Sequence, residues 1–93
     1  MEIKDFQELI TSTYGDRDRR RGVVSAVAWL AEETGELAQA VRKGSVAEQR
    51  HEIGDVLAWL ASLATQLGID LDDAATRFAG GCPICDSSPC RCP

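Results

Sequence analysis

The sequence predicts an all-α chain of four helices followed by a short cysteine-rich tail. Three observations carry that prediction. Apolar residues recur at three- and four-residue spacing through most of residues 3–79, which is the period of a helix face. No segment alternates apolar and polar residues, as a half-buried strand would. Glycines and capping residues fall between the apolar stripes, where helices stop and start.

Ile3, Phe6, Leu9 and Ile10 define the first helix. Tyr14-Gly15-Asp16 is read as its end, and Asp18-Arg19-Arg20-Arg21-Gly22 as a charged connector. Val23, Val27, Leu30, Leu37 and Val41 make one stripe down a long second helix, with Thr34 the polar member of the row. Gly44 ends it, and Arg42 and Lys43 occupy the last turn, where cations suit the helix dipole. Ser45-Val46-Ala47-Glu48 reads as a capping box, so a third helix starts at once. Its stripe is Ile53, Val56, Leu57, Leu60, Leu63, Ala64 and Leu67. Gly68 ends it, and Asp70 is expected to cap a short fourth helix from Leu71 to about Ala79. The turn between the second and third helices is so short that the two must pack as an antiparallel hairpin.

Composition narrows what the chain can be. At 93 residues it is one domain's worth of sequence, and a domain of this size buries only about 60–65% of the surface its unfolded chain exposes. Small helical chains often solve that by pairing with a copy of themselves, so dimerisation is expected to complete the fold. Hydrophobic residues are 44% and charged residues 27%, too apolar for a disordered chain. The net charge of −5 argues against nucleic-acid binding, which needs a basic footprint. No apolar run approaches the ~20 residues that span a membrane. Met1-Glu2-Ile3-Lys4-Asp5 resembles no signal peptide, so a cytoplasmic location with reduced thiols is expected.

The acidic residues of the hairpin carry the sharpest functional signal. The second helix holds Glu32, Glu33 and Glu36; the third holds Glu52 and Asp55. Glu36 lies 8 residues before Gly44 and Glu52 lies 8 after it; Glu33 lies 11 before and Asp55 lies 11 after. In an antiparallel hairpin turning near Gly44, each pair sits at one height, roughly 12 Å and 16 Å from the turn at ~1.5 Å rise per residue. At about 100° per residue, Glu33 and Glu52 fall roughly 80° from the centres of their stripes, and Glu36 and Asp55 roughly 140°. The offsets have the same sign, so four carboxylates converge on one flank.

A solvated acidic surface is the plain alternative, but it fits poorly. Stabilising surface patterns set Lys or Arg three or four residues from an acid. Here Glu32 faces Glu36, Glu33 faces Leu37, and Glu52 faces Asp55. The one favourable neighbour is His51, four residues before Asp55. Like charges so gathered repel unless a cation sits among them, and hard carboxylate oxygens suit Mg²⁺ or Mn²⁺. Gly35 and Gly54 sit inside the acidic motifs and leave room there for metal, water or phosphate.

Glu32-Glu33-x-x-Glu36, a gap of 15 residues, then Glu52-x-x-Asp55 resembles the EExxE…ExxD signature of the MazG-like all-α nucleotide pyrophosphohydrolases. The resemblance covers roughly residues 1–79. It implies a four-helix MazG-like fold and Mg²⁺-dependent hydrolysis of a nucleoside triphosphate to the monophosphate and pyrophosphate. It also implies association as a homodimer or a dimer of dimers. Glu33, Glu36, Glu52 and Asp55 would be the metal ligands by this resemblance, and Glu32 an accessory acid that binds metal or orients the attacking water. Phosphate-facing cations are sought in Lys43 and Arg42 near the turn, and in Arg17, Arg19, Arg20 and Arg21 before the second helix. Trp29 and Trp59, one turn outside the acids, offer faces for a base or simply pack. Some family members carry a Lys…Asn…Arg set at the end of the fourth helix; this chain has Arg77 alone there.

The tail is a second signal. Gly80-Gly81 marks a composition shift, dividing a helical body (1–79) from a tail (80–93). Cys82, Cys85, Cys90 and Cys92 form a CxxC-x4-CxC pattern, suited to a closed structural Zn²⁺ site. Disulfides formed on oxidation and free thiols remain as alternatives. Two other functions stay open: a non-enzymatic helical dimer that recruits a partner through its tail, and a phosphoribosyl-ATP pyrophosphohydrolase-like activity.

Overall fold

A computed structural model describes all 93 residues. It is all-helical: α1 (Ile3–Arg21), α2 (Val23–Lys43), α3 (Val46–Gln66) and the short α4 (Leu71–Ala75), which tightens into a 3-10 turn at Thr76–Phe78. No helix is long and apolar enough to cross a membrane.

The α2–α3 hairpin forms where the sequence places it. Ser45 and Glu48 make the expected capping box, with the Glu48 amide donating to Ser45 Oγ at 3.1 Å. Gly44 is required by close approach: a Cβ there would lie 2.9 Å from the backbone of Ala40. Gln49 Nε2 ties α3 back to α2 by donating to the Ala40 carbonyl at 3.2 Å.

α1 departs from the sequence reading. It runs unbroken through Gly15 and the Asp18–Arg21 stretch, and only Gly22, at φ +88°, turns the chain into α2. One interior glycine costs about 1 kcal/mol, and tertiary contact outweighs it. Asp18 is buried and accepts from Ser62 Oγ on α3 at 2.7 Å. The expected charged connector is therefore the last turn of a helix, and its side chains project at helical spacing.

α1 packs against α3, and its contacts descend α3 as they climb α1. Gln7 Nε2 donates to Thr65 Oγ1 at 3.1 Å and to the Ile69 carbonyl at 2.9 Å. Gln7 also supplies the cap expected of Asp70. Asp70 holds the N-cap position of α4 without a side-chain cap bond, while Leu71 N–H donates to Gln7 Oε1 at 2.8 Å.

The core is thin. Its buried apolar members are Ile10, Ala26, Ala40, Ala61 and Ala64, and no large side chain is fully buried. In α2 the inward row is Ala26, Leu30, Glu33, Leu37 and Ala40, a heptad-like seam that keeps Leu30 and Leu37 of the predicted stripe but not its valines. Val23, Val27 and Val41, with Ile53, Leu57, Leu60 and Leu67 of α3, are exposed instead; Val41 is 64% and Ile53 56% exposed. At about 100° per residue these aliphatics share the flank of the hairpin turned away from α1. The radius of gyration is 15.3 Å, against roughly 12 Å for a compact chain of this length. The chain is an open layer with one apolar face uncovered.

Candidate active site

The seam row explains where the acids go. α2 carries Glu33 inward between Leu30 and Leu37, and Glu36 one turn later on the rim. α3 returns with Glu52 and Asp55, both half-buried. Carboxylate oxygens of Glu33, Glu36 and Glu52 lie within 4.8 Å of one another, as do ligand atoms of His51, Glu52 and Asp55. Glu52 belongs to both groups and joins them. The predicted convergence is thus present, with one change: Glu33 stands in the seam itself, not on its flank. Glu32 is exposed and belongs to neither group.

The electrostatics are those of like charges held together. The Glu33 carboxyl is pushed up from 4.5 to about 7 by burial first, then by the charges of Glu36 and Asp55 and by contact with Glu52 and Glu36. Glu33 Oε2 and Glu52 Oε2 are sealed from solvent without any hydrogen-bond partner. Buried carboxylate oxygens are almost always paired, so these two call for a proton shared between Glu33 and Glu52 or a cation between them. An all-oxygen donor set with an open side fits a hard divalent ion completed by water and phosphate oxygens. His51 Nε2 is 3.2 Å from Asp55 Oδ2 and orients that carboxylate.

Around the acids lie two clefts. One, of about 410 Å³, is lined by Glu36, Gln39, Lys43, Gly44, Glu48 and Glu52, which sets Lys43 beside the acids at the turn. The other, of about 260 Å³, lies between the hairpin and α1 and joins Asp55 and Trp59 to Tyr14, Arg17 and Arg21. Arg20 does not line that cleft. Of Arg17, Arg19, Arg20 and Arg21, which the sequence offers as a group, Arg17 and Arg21 are four apart in the helix and share a face.

Trp29 and Trp59 stack on each other, with ring centroids 5.7 Å apart and planes at 8°. The signal for this pairing was in the sequence. Trp29 lies 15 residues before Gly44 and Trp59 15 after, by the same mirror that matches the acids. A Cβ at Gly35 or Gly54 would meet nothing within 4 Å, so packing within the chain does not demand either glycine. The four cysteine thiols gather elsewhere, all Sγ atoms within 4.8 Å of one another. The chain therefore holds one cluster of hard donors and one of soft donors.

Residues 21–80 match the family model described as the MazG nucleotide pyrophosphohydrolase domain. The chain belongs to this family. No curated protein matches it. The MazG match takes in α2, α3 and α4 with all five acids, and it supports a hydrolase of the nucleotide pyrophosphohydrolase kind. Most of α1 and all four cysteines lie outside the MazG match.

Proposed function

We propose that the chain hydrolyses a nucleoside triphosphate between the α and β phosphates, releasing the monophosphate and pyrophosphate, in nucleotide-pool house-cleaning. The observation that carries this reading is the pair of sealed, unpartnered oxygens on Glu33 and Glu52 inside a MazG match. Glu33, Glu36, Glu52 and Asp55 would hold Mg²⁺ or Mn²⁺. Such an ion, when bound, neutralises phosphate oxygens and makes a water more acidic.

The remaining roles fall to the chain. Glu32, on the solvent side of the acids, orients the attacking water. Arg17 and Arg21 meet the triphosphate in the cleft beside Asp55, and Lys43 meets it from the turn. Arginine suits phosphate because its planar fork binds two oxygens at once. The stacked Trp29 and Trp59 offer a flat surface for the base. A second copy of the chain covers the exposed face of Val27, Val41, Ile53 and Leu57, because an apolar surface of this extent is uncommon on a lone soluble protomer.

Pyrophosphate release from a panel of dNTPs, NTPs and phosphoribosyl-ATP, with Mg²⁺, Mn²⁺ and EDTA arms, tests the reading. Metal-dependent release with a preferred base supports it. No release from any nucleotide by folded protein overturns it in favour of a non-enzymatic helical module. Release confined to phosphoribosyl-ATP moves the substrate assignment. Light scattering on the same sample checks the mass for two or four chains.

A further inference from the structure

The last twelve residues hold a defined set of turns with almost no core to hold it. Ile84, the one aliphatic residue in the tail, is 81% exposed. Yet the backbone is closely fixed. Cys82 N–H donates to the Ser87 carbonyl at 2.9 Å, and Asp86 N–H to the Cys82 carbonyl at 2.7 Å. Gly81 takes φ +98°, and a Cβ there would lie 2.7 Å from the Ser87 carbonyl oxygen, so only glycine admits this turn.

The turn brings the sulfurs together in pairs. Cys82 Sγ is 3.6 Å from Cys92 Sγ, and Cys85 Sγ is 4.0 Å from Cys90 Sγ. A disulfide would set two sulfurs about 2.05 Å apart. Four sulfurs placed tetrahedrally at about 2.3 Å from one Zn²⁺ lie about 3.8 Å from each other. The observed separations match the edges of that tetrahedron. Backbone amides also point at the sulfurs. Arg91 N–H donates to Cys85 Sγ and Cys92 N–H to Cys90 Sγ, each at 3.3 Å. Amides directed at thiolates are the usual outer support of a metal–sulfur site.

We propose that Cys82, Cys85, Cys90 and Cys92 bind one Zn²⁺ per chain as a closed, structural four-thiolate site that folds the tail. Each thiol gives its proton to solvent as its sulfur takes the metal, so binding releases protons and weakens as pH falls. Four protein ligands leave no open position, so this site carries no reaction. It lies outside the MazG match and does not depend on the hydrolase reading.

Metal analysis of the full chain, purified without chelator, tests the proposal. One zinc per chain is expected, with all four thiols blocked to a thiol reagent until a mercurial releases the metal. Replacement of zinc by Co²⁺ should give the absorption of tetrahedral cobalt thiolate. Cys85→Ser and Cys90→Ser should each lose zinc while far-ultraviolet circular dichroism stays helical. Chain purified from zinc-supplemented cells with no bound metal and four freely reactive thiols would overturn the proposal. So would iron in place of zinc, disulfide-bonded cysteines, or zinc retained in full by both variants.

Discussion

The hairpin seam and the cysteine tail both crowd chemically alike groups, but different forces hold them. In the seam, two 21-residue helices fix the acids whether or not a cation is present, and the carboxylates bear the repulsion. In the tail, no helix and no core fixes the thiols, so the ligand set and its backbone turn must stabilise each other. A regular scaffold can store an unfavourable cluster; an irregular segment cannot. Metal removal should therefore leave the hairpin folded and loosen the tail.

The largest effects belong to the seam. Glu36→Gln or Asp55→Asn should lower metal-dependent turnover by about 100-fold or more, at least matching the 10–100-fold typical of outer-shell changes at metal sites. Circular dichroism should show the helices intact. A variant that loses its fold instead would mean that the acids serve structure, and the contrast with the tail would collapse. A smaller effect separates the arginines. Arg17→Ala and Arg21→Ala should each raise KM by roughly 10–100-fold, the loss of a charge-assisted hydrogen bond of about 1.5–3 kcal/mol. Arg20→Ala should leave KM unchanged, and equal effects at all three positions would argue for diffuse attraction rather than the cleft beside α1.

Stored repulsion in the seam also has a pH signature. Folding raises the Glu33 carboxyl from 4.5 to about 7, through burial and then its acidic neighbours. Between those values the folded chain binds the proton more tightly than the unfolded chain does. In EDTA, stability should therefore fall as pH rises from about 4.5 to about 7. Mg²⁺ should offset the fall and release a proton as it binds near pH 6.5. Glu33→Gln should flatten the melting curve against pH in that window. A wild-type profile that is flat in EDTA would show that the seam carries no such strain.

The seam was legible in the sequence because its determinants are local and periodic. A short turn at Gly44 and two regular helices make residue counting equivalent to geometry, and that counting places Glu33, Glu36, Glu52 and Asp55 together. The same arithmetic contains the Trp29–Trp59 stack. What counting missed depends on partners far along the chain. Gly15 reads as a stop until Asp18 finds Ser62, and only with the helix extended do Arg17 and Arg21 separate from Arg19 and Arg20 as the pair at the cleft. Asp70 reads as a cap until Gln7 takes the Leu71 amide. The aliphatic stripe reads as core, yet only Leu30 and Leu37 of its α2 members enter the seam, beside Ala26, Glu33 and Ala40, while Val27, Val41 and Ile53 face outward. Hydrophobicity says that a face will be covered, but not whether the same chain covers it.

The smallest effect sharpens the contrast between the two regions most directly, because it uses one substitution in each. Gly54 lies inside α3, where an added Cβ meets nothing within 4 Å. Gly54→Ala should raise the melting stability of the metal-free protein by up to about 1 kcal/mol through helix propensity alone. Any loss of turnover in that variant must then come from space needed by the substrate or its ion. Gly81→Ala should do the reverse. At φ +98° and 2.7 Å from Ser87, the methyl group breaks the turn, so bound zinc should fall while the helical melt stays where it was. If Gly81→Ala instead lowered the helical melt, the tail would be packed into the body, and the two regions would not be independent.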